Sequence, residues 1–199
     1  MASTSNQQKG KMFENPFLDR LTRTHISIPL IIFYGTAIGV ISYASIHHIL
    51  SWWQIVLSFL VGFIFFTWIE YIAHRYLYHM ETDSPVKADL QHKLHGLHHD
   101  YPNDKGRLAM PPFLAALLAV GFFYLFNFIM GSWAYGFLPG FISGYAAYLS
   151  VHYIVHAFRP PNNALKILWV NHGIHHYKAP DKAFGVSSPL WDYIYRTMP

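Results

Sequence analysis

Four apolar runs, residues 26–46, 52–73, 111–130 and 133–151, are set in an otherwise polar chain. Each is close to the roughly 20 residues that an α-helix needs to cross about 30 Å of hydrocarbon. The pattern therefore predicts four transmembrane helices. Only residues 47–51 separate the first two runs, so these helices form an antiparallel hairpin, and the last two, joined at Gly131–Ser132, form a second. Gly131, Gly136, Pro139 and Gly140 interrupt the later runs and weaken each taken singly, but such residues are better tolerated in membrane helices than in soluble ones. The first run lies too far into the chain, and is too well matched to the second, for a cleaved signal peptide. Residues 1–16 are polar and predicted to be disordered. Residues 17–199 form one membrane domain, with a cap made from 74–110 and 152–199 that shows short helical patterns around 86–99 and 164–176.

Composition agrees with a membrane setting. The chain is 53% hydrophobic and 12% charged, against about 25% charged for a typical soluble domain. With four spans, all 14 Lys and Arg residues fall on one side: before the first span, between the second and third, and after the fourth. The positive-inside rule makes that side cytoplasmic, with both termini and the cap. The net charge of +4 comes from these flanks and suits anionic headgroups; no nucleic-acid motif is present. The absence of cysteine excludes disulfides, thiolate ligands and iron–sulfur clusters.

The chemistry is carried by histidine. Ten of the 14 histidines lie in four clusters, all on the cytoplasmic side: His74 and His79; His95, His98 and His99; His152 and His156; His172, His175 and His176. Neutral imidazole is the commonest metal ligand, and ten are too many for one ion. A dinuclear histidine centre held by the cap is the expectation. His152 and His156, four apart, share a helical face; His95 with His98, and His172 with His175, three apart, are expected to share one too. His99 and His176 turn about 100° away, towards a second ion. His74 and His79, five apart, lie on different faces of an ideal helix and suit a frayed end feeding both ions. His47 and His48 lie in the far-side turn and cannot share the site; His25 and His92 stay unassigned.

Other chemistries fit less well. A His-Glu-x-x-His peptidase motif is missing, and no acidic residue falls inside a cluster, which disfavours a carboxylate-bridged di-iron site. A transport site belongs near the midplane of the spans, where no ionisable residue lies. A nitrogen-only pair of ions beside lipid favours iron and O₂ activation on a membrane substrate, although zinc can replace iron in a purified protein. Glu70, one helical turn before His74, reads either as an interfacial residue or as the acceptor that fixes the tautomer of His74.

In order and spacing the clusters resemble the histidine signature of the integral-membrane fatty acid hydroxylase / sterol desaturase superfamily. The histidines alone leave desaturases, sterol oxidases and carotenoid hydroxylases open. The segments Asp104-Lys-Gly-Arg107-Leu-Ala-Met-Pro-Pro112 and Phe184-Gly-Val-Ser-Ser-Pro-Leu-Trp-Asp192 resemble the fatty acid 2-hydroxylase branch. That resemblance, over residues 17–197, implies two iron ions and O₂, and hydroxylation at C2 of a long acyl chain, free or within a sphingolipid-type lipid. Tyr101, Asp104, Arg107, Asn171 and Tyr177 become candidates for the acyl head pocket, and Met110–Pro112 a structural re-entry into the third span. Eukaryotic relatives often carry a cytochrome b5-like domain, which the leading residues here cannot form. Electrons are then expected from a separate cytochrome b5- or ferredoxin-like carrier, and the membrane is a bacterial inner membrane or the endoplasmic reticulum. The alternatives are a sterol or carotenoid oxidase and a non-enzymatic metal-binding membrane protein.

Overall fold

The computed structural model describes residues 10–199, and every regular element among them is helical. In chain order these are α1 (Pro16–Leu21), α2 (Ser27–Ile46), α3 (Trp52–Ile72), α4 (Pro85–Gln91), α5 (Leu97–Asp100), α6 (Pro112–Met130), α7 (Ala134–Ala157), α8 (Lys166–Tyr177) and α9 (Leu190–Tyr195). Two π-helical turns, Ala73–Tyr78 and His92–Gly96, extend α3 and α4. Three continuous stretches, Ser27–Ile46, Trp52–Tyr78 and Lys105–Ala157, are long and apolar enough to cross a membrane. The third contains both α6 and α7. Between them Gly131 takes φ +58°, a left-handed turn that any side chain would strain.

Helix α7 is the central element, and its glycines explain why. Gly136, Gly140 and Gly144 recur every fourth residue and lie against Ser58, Phe59 and Phe66 of α3. A Cβ at Gly140 would collide with the carbonyl of Phe59, and one at Gly62 with the carbonyl of Phe137. Small residues let two helix backbones touch where lipid offers no hydrophobic drive to associate. The residues counted as interruptions in the sequence are thus, Gly131 excepted, the seam of the bundle, and Pro139 is fully buried within continuous α7. Aromatic pairs give the directions. Phe126 meets Phe137 (4.8 Å) and Phe122 meets Phe141 (5.1 Å), so α6 and α7 run oppositely. Phe33 meets Tyr145 (5.0 Å) and Tyr43 meets Tyr135 (6.0 Å), so α2 also opposes α7. The α3 contacts advance in step with α7, so those two run the same way.

The cap packs on the ends of α3 and α7. Residues 1–9, most of the segment expected to be disordered, lie outside the described residues. From Gly10 onward two cationic side chains clasp the segment. The Gly10 carbonyl accepts from Arg23 and Arg107, Arg107 pairs with Asp19, and Arg23 pairs with Asp104 at 2.8 Å. The C-terminal segment is pinned to α3, with Trp191 donating to Thr67 and Trp68 to Tyr195, each at 3.0 Å.

Candidate metal centre

At its C-terminal end α3 changes from an α- to a π-helical turn, where the N–H of His79 donates to the carbonyl of His74 at 3.2 Å. An i→i+5 turn stacks residues five apart. His74 and His79, expected on different faces and on different ions, are therefore brought to one side. They join His95, His99 and His175 in a group of five imidazoles whose ring nitrogens lie within 4.8 Å of one another. His98, His152, His156, His172 and His176 form a second such group. Either group could hold a metal ion. The two are contiguous, with the rings of His99 and His176 stacked at 4.2 Å.

All ten histidines singled out in the sequence meet here, but their division differs from the expected one. His95 pairs with His99, and His172 with His176, while His98 and His175 cross to the opposite group. On a helix of 3.6 residues per turn, a residue four on is rotated only about 40°, whereas one three on lies about 60° the other way. With a group on each side of the segment, i and i+4 converge and i+3 diverges. His92 and His25 belong to neither group; His92 is 3.7 Å from Asp100 and His25 bonds to Ser27. His47 packs on Tyr43 in the far turn.

The geometry suits shared ions. Nε2 atoms face one another between His74 and His95 (3.0 Å), His79 and His175 (3.0 Å), His98 and His152 (2.9 Å), and His156 and His172 (2.7 Å). Nitrogens bound to one ion at about 2.0–2.1 Å sit about 3 Å apart when they are neighbours at right angles. Burial, with crowding by other imidazoles, holds His95, His98 and His172 well below the ordinary histidine range. Burial also lowers His99 to about 4 and His175 to about 3. These rings are neutral at physiological pH, the form that binds metal.

Backbone groups orient part of this set. His74 donates from Nδ1 to the carbonyl of Phe184 (2.6 Å) and His175 to that of Lys182 (2.8 Å). Glu70 is not the acceptor for His74. Its buried carboxylate accepts the N–H groups of Val186 and Ser187, both at 2.8 Å, and the Ser187 hydroxyl. Four residues of helix separate the two side chains, but the C-terminal segment comes between them. Asp192, at the end of the Phe184–Asp192 segment, accepts from the N–H groups of Phe184 (2.9 Å) and Gly185 (2.8 Å). A carbonyl that serves a distant histidine leaves no trace in residue type, so Lys182 and Phe184 carried no signal.

A cavity of about 370 Å³ reaches the imidazoles of both groups. His95, His98 and His152 line it together with the apolar side chains of Phe113, Leu114 and Leu149 and with Tyr78, Tyr145 and Tyr148. Tyr78 stacks on His95 (5.0 Å) and Tyr148 on His152 (5.5 Å). Among the residues proposed for a pocket, Arg107 borders this cavity; Glu70, Tyr101, Asp104, Asn171 and Tyr177 do not. Tyr101 packs on Gly10, Asp104 pairs with Arg23, Asn171 is buried beside Met198, and Tyr177 is 70% exposed.

Residues 59–197 match the fatty acid hydroxylase family. A dihydroceramide fatty acyl 2-hydroxylase of Arabidopsis thaliana is 34% identical over 191 residues, which are 95% of this chain and 80% of that protein. The fatty acid 2-hydroxylase of Homo sapiens is 36% identical over 145 residues, and the chain spans only 39% of its length. Among solved structures, full-length scs7p, with only its hydroxylase domain visible, is similar at a TM-score of 0.85 and 30% identity, over 94% of this chain and 71% of that one.

Proposed function

The chain belongs to the fatty acid hydroxylase family, and from that premise we propose that it is an O₂-dependent dimetal hydroxylase acting at C2 of a long-chain acyl lipid. The observation that carries this reading is one cavity lined both by His95 of the first group and His98 and His152 of the second and by apolar side chains such as Phe113, Leu114 and Leu149. Its imidazoles can serve ions and its apolar lining can take a hydrocarbon chain. We assign His74, His79, His95, His99 and His175 to one ion and His98, His152, His156, His172 and His176 to the other. Two bound iron ions would supply the activation of O₂, with one oxygen atom inserted in a C–H bond and the other reduced to water by two electrons from a separate donor and two protons from solvent. The chain's own part is to hold the imidazoles neutral, exclude water and set one methylene of the substrate beside His95, His98 and His152.

The head of the substrate is read from charge. Lys93 and Arg107 are the cations bordering the cavity, and both are committed: Lys93 to Asp89 at 2.6 Å, Arg107 to Asp19 and Thr22. No unpaired cation among the described lining residues awaits a carboxylate. This favours a neutral, amide-linked acyl chain, as in a ceramide-type lipid, over a free fatty acid. The Arabidopsis thaliana relative is named for a dihydroceramide substrate.

In the membrane we propose that α2, α3, α6 and α7 each cross, as two hairpins. Their alternating directions support this, and so does the absence of Lys and Arg from the two short connections, residues 47–51 and 131–132. Both termini and the metal centre then face the cytoplasm. A cytochrome b5- or ferredoxin-like carrier would dock on that cationic face.

Lipid mass spectrometry on a host expressing the chain, beside a His172→Ala, His176→Ala double variant, tests the reading. The expected result is one added oxygen on acyl chains, placed at C2 by fragmentation and lost in the variant. Unchanged acyl chains with a metal-loaded, reductase-supplied protein would overturn it and direct attention to sterol or carotenoid substrates.

A further inference from the structure

We propose that the two metal positions are inequivalent: the C-terminal segment from Lys182 to Thr197 clamps the first alone, with Asp192 and Glu70 as its positioning residues. This rests on the reading that each imidazole group holds one ion.

The two groups differ in what stands behind the rings. In the first, the Nδ1–H of His74 is held by the Phe184 carbonyl (2.6 Å) and that of His175 by the Lys182 carbonyl (2.8 Å). A ring held in this way has its tautomer and plane fixed, and its Nε2 lone pair is committed to the ion. In the second group, the Nδ1 atoms of His98, His152, His172 and His176 are buried without a hydrogen-bond partner among the described residues. The C-terminal segment holds none of these rings; His152 alone among them is met by another backbone group, that of Leu108, and stacks on Tyr148.

The clamp is a built structure. Its two carbonyls flank Ala183, which sits at φ +54° and donates its N–H to the Thr197 carbonyl at 2.9 Å. The left-handed residue turns both carbonyls towards histidines on different helices. Asp192, fully buried, holds the N–H groups of Phe184 and Gly185 and the Thr197 hydroxyl (2.7 Å). Glu70 anchors the next two residues to α3. Neither carboxylate is hydrogen-bonded to a histidine; both act through the backbone between them. Outer partners of metal-bound histidines typically change affinity by about 10–100-fold, so a clamp on one group separates the two sites by at least about tenfold.

The test uses the intact chain in detergent, loaded with Zn²⁺, with zinc counted after gel filtration and its release to EDTA followed in time. Two ions per chain are expected, leaving in two phases at least about tenfold apart. His172→Ala should abolish the fast phase and His175→Ala the slow one. Asp192→Asn and Glu70→Gln, eluting as folded protein, should accelerate the slow phase about tenfold and leave the fast phase unchanged. One common phase, a slow phase that belongs to His172, or a slow phase untouched in folded Asp192→Asn would overturn the proposal. Should the carboxylate variants not fold, the assignment of phases by the two histidine variants decides. Uptake of fewer than two ions overturns it whatever the activity. Two well-separated phases in a chain that hydroxylates no lipid would leave the clamp standing and count against the hydroxylase reading.

Discussion

The carbonyl oxygen of Phe184 lies 2.6 Å from Nδ1 of His74, across 110 residues of sequence. Through that contact the segment before α9 sets the orientation of a ring at the end of α3. The segment that provides it turns at Ala183, whose φ of +54° costs an L-residue roughly 1–2 kcal/mol. Ala183→Gly should therefore be neutral or raise the melting temperature. Ala183→Val, β-branched in the same conformation, should lower stability by about 1–3 kcal/mol and reduce zinc retention. Thermal unfolding in detergent with zinc counted on both variants checks this, and equal behaviour of the two would show that the left-handed turn does not matter.

The contact between α3 and α7 predicts a contrast among glycines. A Cβ at Gly140 meets the Phe59 backbone, whereas one at Gly39 meets nothing within 4 Å. Gly140→Ala should destabilise by about 1–3 kcal/mol through overpacking. Gly39→Ala should be neutral or stabilise by up to about 1 kcal/mol, as Ala favours helix. Chemical denaturation of the two variants side by side measures the difference; a Gly140→Ala chain as stable as wild type would contradict the close approach.

Asp19 gives a pH dependence with a defined sign. Burial raises its pKa, but the Met12 N–H and the Arg23 and Arg107 side chains outweigh that and hold it at about 2. A depressed folded pKa contributes stability that is complete above the ordinary carboxylate range near 4 and lost as pH falls towards about 2. The melting-temperature gap between wild type and Asp19→Asn should thus be constant from neutral pH to about 5 and narrow on further acidification. A gap that widens in acid would mean that the clasp does not depend on the ionised form.

The cavity sets substrate length. Leu114 is one of the apolar residues that line it beside the imidazoles. On the hydroxylase reading, Leu114→Trp should shift product towards shorter acyl chains and lower turnover on the longest by about tenfold, with zinc content unchanged. Chain-length profiles of hydroxylated lipids from the two proteins check it. An unaltered profile would place the acyl chain elsewhere.

The sequence by itself determined the helical class, the four apolar runs to within a few residues, and all ten histidines that the fold assembles. These signals are local: apolar length and clusters of one residue type survive being read along a line. Which histidines stand together was decided only by the tertiary structure. A π turn brings residues five apart to one side, and two groups placed on opposite flanks of a helix divide neighbours that share a motif. Gly136 and Gly140 looked like breaks because their value lies in what α3 places against them. Glu70 looked like a partner for His74 because spacing cannot reveal that the backbone of residues 184–187 lies between them. Backbone carbonyls, glycine seams and pockets are relations between distant segments, so they come into existence only when the chain closes on itself.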